Sequence, residues 1–218
     1  GVINWNNEYQ VTNESQDYYG KNLPWNALTY NMSNITFTDD VTRIPSYMFY
    51  GCSILTDISL PDSALITDRA FANCTSLTSI TIPEGDSSIS YETFSGCTGL
   101  KSVTILSKDT FISQYAFRGC TSLESLTLPI SSEIEVWAFS GCTALRNYTF
   151  TEGEGIDYQV NSHAESRYTY DAPWNYLKLD NVNVTFAEGV TRIPAYMFYS
   201  CTDITSVTFS DSVKEIGA

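Results

Sequence analysis

The sequence lacks most of the residues and motifs on which catalysis and cofactor binding commonly depend. It has a single histidine, His163, and contains no G-x-S-x-G, no P-loop and no H-E-x-x-H motif. No two cysteines form a C-x-x-C pair, which is a common ligand spacing of structural zinc sites. Because a nucleophile, a base or a metal needs such partners, we expect no catalytic residue, no metal site and no cofactor.

Basic residues and long apolar runs are also scarce. The 218 residues include 11 Lys and Arg against 25 Asp and Glu, a formal net charge of −14. A surface of this charge repels the phosphate backbone of nucleic acids, so we expect no nucleic-acid partner. No stretch approaches the ~20 apolar residues of a membrane-spanning helix. We therefore expect no membrane insertion by this chain.

What the sequence does have is a repeat centred on its cysteines. Each cysteine has Phe three residues before it and Ile eight before it, and apolar residues follow at three, six and eight. The clearest copy runs from Ile112 to Leu128. The cysteines are spaced by 22, 23, 23, 22 and 59 residues, and they are Cys52, Cys74, Cys97, Cys120, Cys142 and Cys201. A fixed period in the twenties is typical of a solenoid.

Each cysteine takes the same place in the repeat, between a Phe and a Leu of the expected core. Six cysteines could instead form three disulfides. A small apolar thiol that stacks inside the solenoid explains the shared position better, since free Cys is among the most buried residue types. We therefore favour free, buried thiols.

The residues around each cysteine predict two kinds of segment. The pattern L-x-x-L-x-L ends with apolar residues two apart, which is the period of a strand on a core, and Pro61, Pro83 and Pro129 follow such runs. The segment that carries Ile, Phe and Cys fits one face of a short helix or an irregular stretch. A Gly directly before several cysteines suits the end of that segment.

The motif I-x-x-x-A-F-x-x-C-x-x-L-x-x-I-x-L-P, read over residues 35–150 and 184–216, resembles the BspA-type leucine-rich repeat. We accordingly predict a single α/β repeat domain over residues 1–218. It is expected to be a right-handed leucine-rich-repeat solenoid with a parallel sheet on one face and short helical or irregular segments on the other. Regular coils are expected over 35–150 and 184–218, and irregular segments over 1–34 and 151–183.

A longer duplication contains the short repeat. Matching segments lie 149 residues apart, as Val41-Thr42-Arg43-Ile44-Pro45 and Val190-Thr191-Arg192-Ile193-Pro194 do. A degenerate coil fits residues 172–186, which leaves about 14 extra residues near 157–170 that we interpret as a projecting loop. Because the last residues begin another coil without a capping segment, we expect a fragment of a longer array.

Three sets of side chains are candidates for binding. The first is the outward positions of the strands, where Thr81, Thr104 and Thr127 lie seven residues after a cysteine and serines lie five after. The second is the tyrosines of the irregular segment, which are Tyr158, Tyr168 and Tyr170. The third comprises residues five before a cysteine that we expect to point outward, which are Tyr47, Tyr115, Trp137 and Tyr196.

The resemblance implies a non-catalytic role at a cell surface or outside the cell. Proteins of this family are implicated in adhesion to host matrix proteins and in contact between cells, so the expected partner is a protein of the host extracellular matrix or of another cell surface. Two alternatives stay open. The chain could be a carbohydrate-binding module that uses the loop tyrosines, or a structural spacer that displays another domain.

Overall fold

A computed structural model describes residues 2–3, 34–37, 41–62, 64–85, 88–108, 110–154, 181–195, 197–198 and 204–217. This part of the chain consists of strands and turns and contains no helix, so no helix in it could cross a membrane. The strands are β1 (Val2–Ile3), β2 (Asn34–Phe37), β3 (Arg43–Ile44), β4 (Asp57–Ile58), β5 (Leu65–Ile66), β6 (Ser79–Ile82), β7 (Ser102–Ile105), β8 (Phe111–Ile112), β9 (Ser125–Pro129), β10 (Glu133–Ile134), β11 (Asn147–Thr151), β12 (Gly153–Glu154), β13 (Val182–Phe186), β14 (Val190–Ile193), β15 (Ile204–Phe209) and β16 (Glu215–Ile216).

The longest strands form the predicted parallel sheet. Strands β6, β7, β9, β11, β13 and β15 lie side by side in that order, and β1, β2 and β4 form a second, three-stranded parallel sheet. Burial alternates along each strand: in β6, Ile80 and Ile82 are buried while Ser79 and Thr81 are exposed. The register advances by one repeat per strand. From β6 to β11 residues 22 or 23 apart in sequence are therefore neighbours across the sheet, whereas the neighbours on β11 and β13 are 36 apart.

A second ladder of short strands runs along the coils. It contains the Ile that lies eight residues before each cysteine, because β3 pairs with β5, β8 pairs with β10, and Ile89 bridges Ile66 and Ile112. Strands β12, β14 and β16 form a further parallel sheet. These strands are mostly two residues long, so the sequence shows no periodicity that could have predicted them.

The segments between this second ladder and the cysteines are turns. Of the two predicted possibilities, helical or irregular, the described residues show irregular backbone only. The hydrogen bonds explain why. The Phe71 N–H donates to the Thr93 carbonyl at 2.9 Å, and the Phe94 N–H donates to the Ala116 carbonyl at 2.8 Å. Because the next coil accepts these donors, they do not bond to carbonyls four residues back as a helix requires.

The core is a set of columns that run through the coils. Five phenylalanines, Phe49, Phe71, Phe94, Phe117 and Phe139, stack with ring centroids 5.1–5.4 Å apart and ring planes within 11° of parallel. All five are buried, as are most leucines and isoleucines at the repeat's other apolar positions, whereas Ile134 and Ile204 are partly buried. Tyr148 takes an aliphatic position and is buried with them. The predicted core columns are thus confirmed.

The strand of the degenerate coil is also confirmed. Strand β13 pairs with β11 and with β15, so it continues the main sheet across the long gap between Cys142 and Cys201. Strands β2 and β13 occupy matching places in the two copies of the longer duplication. The extra residues near 157–170 lie outside the described residues.

The ends of two strands, β9 and β15, show details that the sequence did not predict. Pro129 does not follow a strand but is the last residue of β9, opposite Thr151. At the β15 edge of the main sheet the apolar side chains are more exposed to solvent: Phe209 is 47% exposed, whereas Phe186, on which it stacks, is buried.

Candidate binding surfaces

The cysteines have a structural place in the core. Cys52, Cys74, Cys97, Cys120 and Cys142 are free and buried, which confirms the prediction for these five, while Cys201 lies outside the described residues. Each thiol from the second coil onward donates to the Phe carbonyl of the coil before it. The Sγ–O distances are 3.2 Å for Cys74 to Phe49, Cys97 to Phe71 and Cys120 to Phe94, and 3.1 Å for Cys142 to Phe117.

The thiols are poor nucleophiles in this setting. Hydrogen bonds with the Cys52 and Cys97 thiols, followed by burial, raise the pKa of Cys74 well above its usual value. A hydrogen bond with Cys142, followed by burial, does the same to the pKa of Cys120. Since the thiolate is the reactive form of cysteine, these groups are inert at neutral pH. Among the described residues, no group of three or more His, Cys, Asp or Glu side chains could hold a metal ion.

The outward residues of the main sheet form two aligned ranks, which we call the polar sheet face. The strand register places the members of each rank directly opposite one another. One rank is Thr81, Thr104, Thr127, Thr149, Thr185 and Thr208, and the other is Ser79, Ser102, Ser125, Asn147, Asn183 and Ser206. The structure therefore brings together the predicted residues Thr81, Thr104 and Thr127, at the ~4.8 Å strand spacing of a sheet.

The two halves of the polar sheet face differ in their hydrogen bonds. On β11, β13 and β15 the side chains of the second rank bond to one another, unlike the threonines beside them: Asn183 Nδ2 donates to Asn147 Oδ1 at 3.1 Å, and Ser206 Oγ donates to Asn183 Oδ1 at 2.7 Å. On β6, β7 and β9 none of the six hydroxyl side chains bonds to another described residue. This second group, the free hydroxyl block, comprises Ser79, Thr81, Ser102, Thr104, Ser125 and Thr127.

A second surface follows the turns. The residues five before each cysteine form an outward column across five successive coils, which we call the turn-edge column: Tyr47, Arg69, Glu92, Tyr115 and Trp137. Trp137 is 47% exposed and the others are partly buried. The predicted outward position is confirmed for Tyr47, Tyr115 and Trp137, whereas Tyr196 lies outside the described residues.

Arg69 links the first three members of the turn-edge column by hydrogen bonds to the residues on either side of it. Its Nε donates to Glu92 Oε2 at 2.7 Å and its Nη1 donates to the Tyr47 hydroxyl at 2.6 Å. The guanidinium also lies over the rings of Tyr47 and Tyr91, 5.6 and 5.0 Å from their centroids. Cation–π contacts of this kind add to the ion pair.

Charge and burial compete at Glu92. Burial alone would raise the pKa of this carboxyl, but the hydrogen bonds from Arg69 and Tyr91 outweigh it, so the pKa is lowered. The same Glu92 hydrogen bond raises the pKa of Arg69, against the opposing effect of burial. Both groups therefore stay charged over the whole physiological range.

Aromatic rings make up the second part of the turn-edge column. Tyr115 and Trp137 stack with centroids 5.6 Å apart and planes within 11°. Tyr91 meets Tyr115 edge-on at 5.9 Å, and the Arg118 guanidinium lies 5.2 Å from the Tyr115 ring centroid. The sequence singled out the aromatic members of this column but missed Arg69 and Glu92, which take the same position five before a cysteine, and the neighbouring Tyr91 and Arg118.

Every member of the turn-edge column has a left-handed backbone. The φ angles run from 52° to 63° at Tyr47, Arg69, Glu92, Tyr115 and Trp137. Side chains other than glycine adopt this conformation at a cost of roughly 1–2 kcal/mol per residue. The position directly before each cysteine is also left-handed, but it is occupied by Gly51, Asn73, Gly96, Gly119 and Gly141.

The predicted loop tyrosines Tyr158, Tyr168 and Tyr170 lie outside the described residues. Their role in binding stays a prediction, and so does the carbohydrate-binding alternative that depends on them.

Known structures of similar repeat proteins resemble the chain. A leucine rich repeat protein of T. pallidum is 18% identical, with a TM-score of 0.45, over 85% of this chain and 73% of that one. A leucine rich cell surface protein of Faecalibacterium prausnitzii is 28% identical, with a TM-score of 0.45, over 86% and 57% of the two chains. The pneumococcal vaccine antigen PcpA is 21% identical, with a TM-score of 0.46, over 84% and 52%. No curated protein matches the sequence.

The repeat itself identifies the family. The family model of the BspA type leucine rich repeat region matches residues 26–146 and 174–218 in six copies. These ranges contain the Phe and Cys columns, the free hydroxyl block and the turn-edge column. The chain therefore belongs to the BspA type leucine rich repeat family.

Proposed function

We propose that the protein is a non-catalytic, surface-exposed module that binds another protein through the polar sheet face. The observation that carries this proposal is the free hydroxyl block, in which six hydroxyl groups on three adjacent strands bond to no other described residue. Solenoid proteins use such extended sheet surfaces to bind partners. The side chains are short, so little conformational entropy is lost when a partner orders them.

The chemistry of the chain supports a binding role rather than catalysis. The described thiols are buried, and the sequence has one histidine and no nucleophile motif. The family to which the chain belongs supports a location at the cell surface or outside the cell. We therefore propose adhesion as the function, with a protein of the host extracellular matrix or of another cell surface as the partner.

A triple substitution tests this proposal. Thr81→Ala, Thr104→Ala and Thr127→Ala together remove one rank of hydroxyls from the free hydroxyl block without touching the core. The matched control is Thr98→Ala, Thr121→Ala and Thr143→Ala, which removes three exposed threonines from the turns of neighbouring coils. Binding to an array of immobilised extracellular-matrix proteins is then measured by surface plasmon resonance.

We expect the wild type and the control to bind at least one matrix protein, and the sheet-face variant to bind it at least about tenfold more weakly. Equal binding by the two variants would contradict the assigned surface. Failure of the wild type to bind any matrix protein would contradict adhesion to the matrix.

A further inference from the structure

The two left-handed positions of each coil are occupied by different kinds of residue. Directly before the cysteine the residue is Gly in four of the five described coils and Asn in the other. Only at Gly96 would an added Cβ clash, with Asn73 Oδ1; at Gly51 it would meet nothing within 4 Å, and at Gly119 and Gly141 its nearest atoms lie at 4.0 and 3.5 Å. The backbone conformation itself therefore selects glycine at this position.

Five residues before the cysteine the same conformation carries large side chains in every described coil. Strained backbone at non-glycine residues persists where the side chain is needed. For the first part of the turn-edge column the need is internal, because Arg69 bonds to both Tyr47 and Glu92. The Tyr115 and Trp137 side chains make only ring and cation–π contacts with the described residues, and Trp137 remains 47% exposed.

Arg118 adds a charge to this exposed end. Its side chain is exposed and forms no ion pair with a described residue. The nearby carboxylate of Glu92 is already engaged by Arg69 and Tyr91. The guanidinium, held over the Tyr115 ring, therefore keeps donors available for a carboxylate from another molecule.

The ring geometry favours a protein ligand over a sugar. A pyranose binds aromatic residues by stacking on a free ring face, but the faces of Tyr115 and Trp137 that meet are only 5.6 Å apart between centroids and nearly parallel. A sugar ring does not fit between them, and the Arg118 guanidinium lies over the Tyr115 ring. Tyr, Trp and Arg are also the residues that contribute most to protein–protein binding energy.

We propose that Tyr115, Arg118 and Trp137 form a second docking site, separate from the polar sheet face, for a protein segment that presents a carboxylate beside an apolar side chain. The carboxylate bonds to Arg118, and the apolar side chain packs on the outer edge of Trp137. The site goes beyond the proposed function, since it would bind whether or not the sheet face does.

Selection from a phage-displayed library of random peptides tests this site. The wild-type protein is the bait, and enriched peptides are synthesised and titrated by calorimetry against the wild type, Trp137→Gly, Arg118→Gln and the triple sheet-face variant. Trp137→Gly relieves the left-handed strain, and Arg118→Gln changes an exposed side chain, so both variants should fold. Thermal melts of each variant verify this.

We expect enriched peptides to carry Asp or Glu next to an apolar residue. Their affinity should fall at least about tenfold on Trp137→Gly and on Arg118→Gln and stay unchanged on the sheet-face variant. No enrichment, or peptides that bind Trp137→Gly and Arg118→Gln as tightly as the wild type, would overturn the proposal. A glycan array on which the wild type binds and Trp137→Gly does not would overturn it in favour of a sugar ligand.

Discussion

The cysteines fill space in the core and also donate hydrogen bonds. The Phe71 carbonyl, for example, accepts the N–H of Cys74 at 3.3 Å and the thiol of Cys97 at 3.2 Å. An alanine at position 97 would leave a cavity and would remove one of these donors. The sequence predicted the buried thiol from its position in the repeat, but it could not predict the bond between coils, which depends on how they stack.

We predict that the free energy of unfolding falls as pH rises above about 8.5, where thiols of the unfolded chain ionise. The pKa values of Cys74 and Cys120 are raised in the folded protein, so the native state keeps protons that the unfolded chain loses. Stability is therefore fully retained below that pH and decreases above it, by up to ~1.4 kcal/mol per pH unit for each group. Denaturant titrations at a series of pH values measure this slope.

The control for this pH dependence is the Cys74→Ala/Cys120→Ala double variant. It lacks two of the groups that must ionise on unfolding, so its stability should decrease less steeply with pH. A slope identical to that of the wild type would show that these thiols do not titrate with raised pKa values.

The left-handed backbone was predictable from residue type at one of the two positions and not at the other. Gly before Cys indicated the end of a segment, and the positive φ angles of Gly51, Gly96, Gly119 and Gly141 agree with that. At Tyr115 and Trp137 no feature of the sequence indicated the same backbone, because large side chains ordinarily avoid it. The docking role proposed above for those side chains would account for their unfavourable backbone.

At the level of the element, the strands of the main sheet were predictable because four residues such as Ser79–Ile82 already show the alternation of a half-buried strand. The second ladder was not, since pairs such as Leu65–Ile66 are too short to show a period. The position of the second ladder is determined instead by the main sheet, because the pairing of the long strands sets the spacing of the coils that carry the short ones.

The phenylalanine column supplies an element-scale prediction. Phe94 is buried and stacks on Phe71 and Phe117, so Phe94→Ala should lower the free energy of unfolding by about 3–5 kcal/mol. Leu65 is 41% exposed, and Leu65→Ala is the control with an expected change of at most about 1 kcal/mol. Chemical denaturation that gives Phe94→Ala the stability of the wild type would contradict the core assignment.

A second element-scale prediction concerns Leu106, which stands where other copies of the repeat have proline. The motif alone would predict that Leu106→Pro is harmless or stabilising. The structure predicts the reverse, because the Leu106 N–H donates to the Ile82 carbonyl at 2.9 Å and proline has no N–H. We expect a loss of roughly 1–3 kcal/mol by denaturant titration.

Leu106→Ala keeps this hydrogen bond and is the matched control. Since the Leu106 side chain is 44% exposed, the control should be close to the wild type. If Leu106→Pro also unfolds like the wild type, the hydrogen bond between the two coils contributes nothing to stability.

At the scale of the whole molecule, the longer duplication and the short repeat together determine the extent of the polar sheet face. Because strand β13 pairs with both β11 and β15, the polar sheet face continues from β6 to β15. The sequence predicted the ranks, since they follow the repeat. It could not separate the free hydroxyl block from the bonded half, because that difference depends on Asn147 and Asn183, which are 36 residues apart in sequence and adjacent only in the sheet.

The solenoid fold rests on the stacking of Phe, Cys and aliphatic residues in a dry interior, and thiol labelling tests this stacking directly. The Cys201→Ser variant restricts the experiment to the cysteines whose burial is described, and iodoacetamide labelling is followed by mass spectrometry. We predict no labelling of the native protein and labelling of all five cysteines in denaturant. Prompt labelling of Cys74, Cys97 or Cys120 under native conditions, or disulfides among them, would contradict the solenoid core.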